Sequence, residues 1–402
     1  MFLHLTREEQ DILGGSRGVG FQKCMELLVS LGDLYGADGL IPISRAHVSG
    51  VSYKTIRDGG LHWLREMARA GAVVSVPTTL NPCGRDPTHW EEMGVTAPFN
   101  EKQADILKVY AKMGLEMVCT CTPFLIGRGP DFGEHVASAE SANCIFLNSA
   151  LGARTNREGA PSALAAAVIG KTANYGMHLD ENRKAQVIVD VEMPKKAYDI
   201  DYPLIGAVIG ERTEGKVTYV RGLRPMDDDL KNMGGAMAAW GSASLFHVEG
   251  VTPEAEEQEL KGLEKITVTA ADMADKRRRM TDAHLKDVDL IAFGCPHLSA
   301  EEIIDMAGFL EGRERIRPQV DMWFSTSKVV AHSLRKETQV LEQFGRVLVD
   351  TCQVVTPVEN KHKITALNSA KAAFYMPKEG FGGQKIYFGS TEELLSHVSR
   401  PK

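Results

Sequence analysis

A chain of 402 residues is longer than one hydrophobic core usually supports, so two or three domains of ordinary size are expected. Its 43% hydrophobic and 25% charged residues are the balance of a globular protein. The formal charge of −7, from 46 basic and 53 acidic side chains, gives no electrostatic footprint for nucleic acid, and no apolar stretch is long enough to span a bilayer.

In chain order, Thr6-Arg7-Glu8-Glu9 reads as a capping box opening a short helix that stops at Gly14-Gly15. The N-terminus, MFLHLTREEQ, lacks the basic start and apolar core of a secretory signal, so a cytoplasmic protein with reduced thiols is expected. A longer amphipathic helix follows, with Phe21, Cys24, Leu28 and Leu31 on one face, which makes Cys24 a core thiol. Short apolar runs then alternate with helical patterns. Residues 73–76, 115–118, 145–147, 187–189, 204–209, 244–248, 266–268, 290–293 and 346–349 read as strands, and 101–112 and 301–310 as helices. Most of the strand-like runs are continuously apolar, as strands buried on both faces are. The expected class is therefore α/β and multi-domain, with mostly parallel sheets flanked by helices. Turn-rich 221–235 and polar 252–262 suggest an N-terminal α/β region over 1–220, a connecting region over 221–262 and a C-terminal α/β region over 263–402. The densest basic run, Lys276-Arg277-Arg278-Arg279, lies in a helical pattern and reads as a solvated face.

Seven cysteines, an odd number in a reducing compartment, do not suggest disulfides. Three share one context: Cys121 in LEMVCTCTP, Cys295 in LIAFGCPH and Cys352 in RVLVDTCQVV each follow the end of an expected strand. Open α/β sheets place their ligand sites there. Three thiolates so placed would hold three irons of a [4Fe–4S] cluster and leave the fourth free to bind hydroxyl and carboxylate oxygens. The same positions equally suit buried structural thiols. Cys119, one residue deeper in the run, reads as packing, and Cys144 as core; Cys83, in a turn, lies where it could approach the site.

The polar segments offer anion contacts. VSGVSYK puts Ser49, Gly50, Val51, Ser52 and Lys54 in a glycine-containing turn, either a grip for carboxylate or phosphate or an ordinary loop. NSALGARTNREGAPSA, residues 148–163, carries Arg154 and Arg157 as guanidinium forks, with Pro161-Ser162 opening a helix. Glu140 and Ser141 supply an acid–base carboxylate and an acceptor; surface salt bridges would account for some of these charges. Ile169-Gly170-Lys171-Thr172 is no phosphate loop, because Ala165 stands where the upstream glycine is needed, and Gly15, Gly18 and Gly20 have the wrong order for a dinucleotide fingerprint.

Together, VSGVSYK, TTLNPCG, CTCTPF, NSALGARTNREGAPSALAAAV, FGCPH and TALNSAKAAFY resemble the aconitase X family, from TREEQDILGG to the C-terminal YFGS. The resemblance is greatest to the separate large subunit of its two-subunit branch. It implies an aconitase-like arrangement, with a [4Fe–4S] site at strand C-terminal ends between domains. The implied ligands are Cys121, Cys295 and Cys352, which would serve a [3Fe–4S] form equally; the thiol before Thr-Pro favours Cys121 over Cys119. Substrate contacts would fall on Gly50, Val51, Ser52, Asn81, Pro82, Glu140, Ser141 and Lys371, to which the residue-level reading adds Arg154. The implied activity is a hydro-lyase acting on a small hydroxy-carboxylic acid: (R)-mevalonate 5-phosphate, giving trans-anhydromevalonate 5-phosphate in isoprenoid biosynthesis, or cis-3-hydroxy-L-proline. The family also implies a partner, a small swivelling-domain subunit similar to the aconitase domain that supplies the catalytic serine base. Cys83, Phe124 and the stretch 137–142 depart from the archaeal motifs beside the implied contacts, which keeps a different hydroxy acid as an alternative. Two other classes remain open: a redox iron–sulfur protein, which needs a fourth ligand, and a zinc-stabilised scaffold using His297 beside Cys295.

Overall fold

The structure, a computed structural model, describes residues 3–194 and 196–402. Three parallel sheets organise the chain. In the first, Ala46–Val48 lies between Thr78–Leu80 and Ala137–Ser138, in register Ala46↔Thr78 and Ala46↔Ala137. Helix Ala160–Ile169 is buried along nearly its whole length, and its small side chains let it seat against both this sheet and helix Val19–Tyr35. Thr6 and Glu9 form the expected capping box, and Cys24 is buried in this core.

The second sheet has the order Phe246–Val248, Thr218–Arg221, Val187–Val191, Glu264–Val268. Helices Asp201–Thr213 and Asp227–Gly241 pack beside it at unusually close range. A Cβ on Gly206 would lie 2.2 Å from the Met233 carbonyl oxygen, and one on Gly241 2.0 Å from that of Gly210. Only glycine allows such an approach. Residues 221–262, expected to connect two regions, instead contribute helix Asp227–Gly241 and strand Phe246–Val248 to this layer.

The third sheet has five strands in the order Arg346–Val349, Asp321–Thr326, Leu290–Phe293, Ile364–Leu367, Lys385–Phe388, all parallel. Helices Ala300–Leu310 and Thr391–Val398 bury their apolar faces in its core. The α/β, mostly parallel reading holds. Among the described residues, antiparallel pairing is confined to Leu40–Pro42 with Lys171–Ala173 and Arg313–Arg315 with Ser399–Pro401.

Several expected strands are corrected. Residues 145–147 belong to helix Ser141–Ser149 and 204–209 to helix Asp201–Thr213. A helix buried on every side is as continuously apolar as a buried strand. Residues 73–76 are irregular, with the strand displaced to Thr78–Leu80, and 115–118 form no strand; only an isolated bridge joins Cys119 to Leu80. Helix Ala270–Met280 also departs from a wholly solvated face. Lys276 is buried, its Nζ 3.2 Å from the Trp240 ring centroid and 3.1 Å from Glu211 Oε2. Among the described residues no helix is long and apolar enough to cross a membrane.

Candidate active site

The three singled-out cysteines meet at one cavity of about 430 Å³. Cys295 stands two residues beyond strand Leu290–Phe293, after Gly294 at φ +94°, where a Cβ would sit 2.1 Å from the Ser325 carbonyl oxygen. A glycine is required at that turn. Cys352 follows strand Arg346–Val349 through Asp350, at φ +60°. Cys121 has no strand before it; the bridge at Cys119 and a 2.8 Å hydrogen bond from Thr120 N to Leu80 O hold its segment to the first sheet instead. All three thiols are buried, at 6–7% exposure.

Hydrogen bonding separates these cysteines from the others. Cys83 donates to the carbonyls of Arg85 (3.1 Å) and Asp350 (3.2 Å), and Cys144 donates to Ser138 O at 2.9 Å. Cys119 is paired with Cys83. At the cavity, Cys121 Sγ instead accepts from His297 N at 3.2 Å, the amides of Val354 and Val355 favour the Cys352 thiolate, and the Ser369 hydroxyl donates to the Cys295 carbonyl. Sulfur that accepts is suited to the thiolate, the form that ligates metal. Burial pushes the Cys295 thiol up to about 12 and raises the other two, so thiolates here need a cationic partner. The donor set fits a polynuclear iron–sulfur centre, which takes one thiolate per iron. Among the described residues no three His, Cys, Asp or Glu side chains converge on a single-ion site.

His297 ties the cysteine segments together. Its Nε2 donates to Thr351 O at 2.9 Å, so Nδ1, 3.0 Å from Thr120 Oγ1, accepts from that hydroxyl. Burial holds the imidazole neutral, with its pKa lowered to about 4. With both ring nitrogens engaged, it has none left for zinc.

Opposite the sulfurs stands a polar wall. Gly50, at φ +75°, brings the turn within 3.0 Å (as Cβ) of Ala160 Cβ. Ser52 caps helix Tyr53–Arg69, accepting from Lys54 N at 3.1 Å and donating to Val355 O at 2.7 Å. Lys54 is buried and donates to Thr356 O and Glu359 Oε2, both at 2.8 Å, so this turn is fastened to the segment after Cys352. Among the described residues, no protein acceptor takes the amides of Gly50, Val51 or Ser52. Asn81 and Pro82 also line the cavity, and the Asn81 Oδ1 is buried without a partner.

Glu140 caps helix Ser141–Ser149, accepting from Asn143 N at 2.6 Å, and pairs with Lys371 on helix Ala370–Tyr375. Burial would raise the Glu140 carboxyl, but the Lys371 ammonium and the amides of Asn143 and Ala142 outweigh it and hold it below its ordinary value. Burial would lower Lys371, and the Glu140 carboxylate reverses that. Lys371 is therefore a charged, buried lysine.

Arg154 is the exception among the candidates. It lies off the cavity, ion-paired with Asp180 at 2.5 Å and Glu254 at 3.8 Å. Arg157 lines the cavity instead. The sequence also gave no signal for His47, a buried histidine whose Nδ1 lies 2.9 Å from Thr79 Oγ1, beside Asn81 and Glu140. Tyr375 and Phe381, which close the cavity from the C-terminal side, carried no mark either.

Parallel sheets that deliver three buried thiols, a lysine–glutamate pair and a capped turn to one cavity are the architecture of an aconitase-like α/β protein. The chain belongs to the aconitase X family: the family's first-domain model matches residues 2–181, its second-domain model 185–278 and its third-domain model 288–400. Each range holds one of the three parallel sheets, a division different from the 1–220, 221–262 and 263–402 read from composition. A phosphomevalonate dehydratase large subunit of Thermococcus kodakarensis is 46% identical over 402 residues, covering 98% of this chain and 100% of the relative. Its counterpart in Methanocaldococcus jannaschii is 42% identical, covering 98% and 99%. A cis-3-hydroxy-L-proline dehydratase of Pseudomonas aeruginosa is 34% identical, covering 94% of this chain but 67% of the relative. The crystal structure of Thermococcus kodakaraensis aconitase X in its holo-form superposes with a TM-score of 0.90 at 44% identity, covering 98% of this chain and all of that one.

Proposed function

We propose that this chain is the large subunit of a two-subunit hydro-lyase that carries a [4Fe–4S] cluster on Cys121, Cys295 and Cys352 and dehydrates (R)-mevalonate 5-phosphate. One observation carries the reading: three buried cysteine sulfurs share a cavity with a charged lysine and unclaimed backbone amides. When bound, the cluster supplies a Lewis-acidic iron with a free position for the departing hydroxyl.

The chain's own residues do the rest by binding and orienting. A cavity of about 430 Å³ suits a small acid and excludes most bulk water once filled. Lys371 lies close enough to the sulfurs to attract a carboxylate toward them, and Glu140 fixes its ammonium in place. The amides of Gly50 to Ser52 and the N-terminus of helix Ala160–Ile169 favour anionic oxygens along the opposite wall. Dehydration takes the hydroxyl from C3 and a proton from C2, leaving the C2–C3 double bond conjugated with the carboxylate. Glu140 and Ser141 flank that path. Glu140 is held ionised by its lysine, which makes it a weak base, so the proton abstraction itself is assigned to the small swivelling-domain partner. Relatives of the same length are named large subunits, and the match covers 67% of the longer relatives, leaving about a third of their chain outside it.

The test is anaerobic co-production with a small subunit, followed by assay on mevalonate 5-phosphate and, as a second arm, cis-3-hydroxy-L-proline. Turnover of the first with brown, iron-loaded protein is the expected result. Cys295→Ser should lose both colour and activity; an undiminished cluster spectrum in that variant would remove the ligand assignment, and turnover of the proline alone would remove the substrate.

A further inference from the structure

We propose that Arg157 anchors the substrate's remote anionic group, the phosphate, and thereby sets which hydroxy acids the cavity accepts; this rests on the dehydratase reading above. Among the described residues, two cations and one carboxylate line the cavity: Lys371, Arg157 and Glu140. Lys371 is matched by Glu140 and is felt electrostatically by Cys121, Cys295 and Cys352, so it belongs to the sulfur end. The leading charges at those thiols do not include Arg157, which acts on Cys144 instead. Among the described residues its half-buried guanidinium has no hydrogen-bond or ion-pair partner, whereas Arg154, three residues earlier, is paired twice.

An unspent guanidinium on a cavity wall is a charge waiting for a ligand. Its backbone is fixed: Arg157 bridges Ser138 in the first sheet, and Glu158 N donates to Ser138 O at 2.9 Å. Ala160, three residues on, begins a ten-residue helix and abuts the Gly50 turn. The guanidinium fork, the free amides of Gly50, Val51 and Ser52, and the N-terminus of helix Ala160–Ile169 therefore share one wall. Elimination requires the hydroxyl and its neighbouring carboxylate at the sulfur end. A second anion on the same molecule is then left for the Arg157 wall. A phosphate matches it, offering several oxygens to a planar fork and to amides at once. A substrate with a single carboxylate would leave Arg157 unpaired.

The experiment uses the loaded two-subunit enzyme and compares wild type with Arg157→Gln and Arg157→Lys. Loss of two charge-assisted hydrogen bonds should raise KM for mevalonate 5-phosphate roughly 100-fold in Arg157→Gln, with kcat changed far less. Arg157→Lys should recover part of that loss. Iron content and the visible spectrum should match wild type in both, which excludes a folding defect. Inorganic phosphate should inhibit wild type competitively and Arg157→Gln at least tenfold more weakly. An unchanged KM with unchanged phosphate inhibition overturns the proposal. So does a fall confined to kcat, which would put the guanidinium on the reacting carboxylate. If wild type does not turn over mevalonate 5-phosphate, the substrate reading fails on its own. The anion site is then judged by whether phosphate raises the melting temperature of wild type but not of Arg157→Gln; no such difference overturns it.

Discussion

Lys371 and Glu140 show how a buried charge is tolerated only while its partner remains. Lys371→Met leaves a carboxylate with no counter-ion in a dry wall, a change that costs roughly 3–5 kcal/mol for buried pairs. The double variant Lys371→Met, Glu140→Gln removes both charges and should recover a large part of that loss. Urea unfolding of the wild type and the two variants checks it, and a double variant no more stable than the single would sink the argument. His178 tests the opposite case, a buried group kept neutral. It is nearly enclosed, its Nδ1 2.9 Å from that of His135, and burial together with the neighbouring His135, Arg183 and Arg154 lowers its pKa to about 3. The unfolded value is about 6.5. The folded chain thus binds fewer protons than the unfolded one in between, so stability is full above pH ~6.5 and falls as pH drops toward 3. The slope from this group reaches roughly 1.4 kcal/mol per pH unit. His178→Gln should flatten the fall in urea midpoint between pH 6 and 4, and an unaltered slope would contradict the assignment.

Packing of whole elements is most exacting where helices Asp201–Thr213 and Asp227–Gly241 touch backbone to backbone. Gly241→Ala would press a methyl into the Gly210 carbonyl and should destabilise by roughly 1–3 kcal/mol. Gly308→Ala, in the exposed face of helix Ala300–Leu310 with nothing within 4 Å of the new carbon, should instead stabilise by up to ~1 kcal/mol. Thermal midpoints moving in the same direction would refute the contrast. These same helices explain what the sequence concealed. Strands such as Leu290–Phe293 and Val187–Val191 were legible because turn residues bound short apolar runs. Residues 204–209 were not, because the small and apolar residues that let two helices meet closely also erase the amphipathic stripe. At the site, Cys121 reached the cavity without the strand expected before it, since one bridge at Cys119 does that strand's work. Arg154 and Arg157 lie three residues apart in an irregular segment, where no periodicity tells which side chain turns inward; only tertiary placement separates them.

At the scale of the molecule, Cys121 lies in the first-domain range and Cys295 and Cys352 in the third. A cluster held by all three would fasten those ranges to each other, alongside Lys54 and Ser52. Removing it with an oxidant and chelator under denaturant-free conditions should abolish the visible absorbance and lower the melting temperature by several degrees, since a ligand bound only by the folded chain stabilises it by mass action. Reconstitution with iron and sulfide should restore both; a melting temperature indifferent to iron would show that the ranges hold together unaided.

The spacing of those cysteines along the chain also carries a message about time. A ribosome delivers Cys121 well before Cys295 and Cys352. His297, which ties their segments, and Lys371, which faces them, also arrive late. A cluster held by all three thiols would therefore wait until Cys352 has been made, and a product terminated before it would stay colourless. Iron uptake would then report that the first and third ranges have both been synthesised.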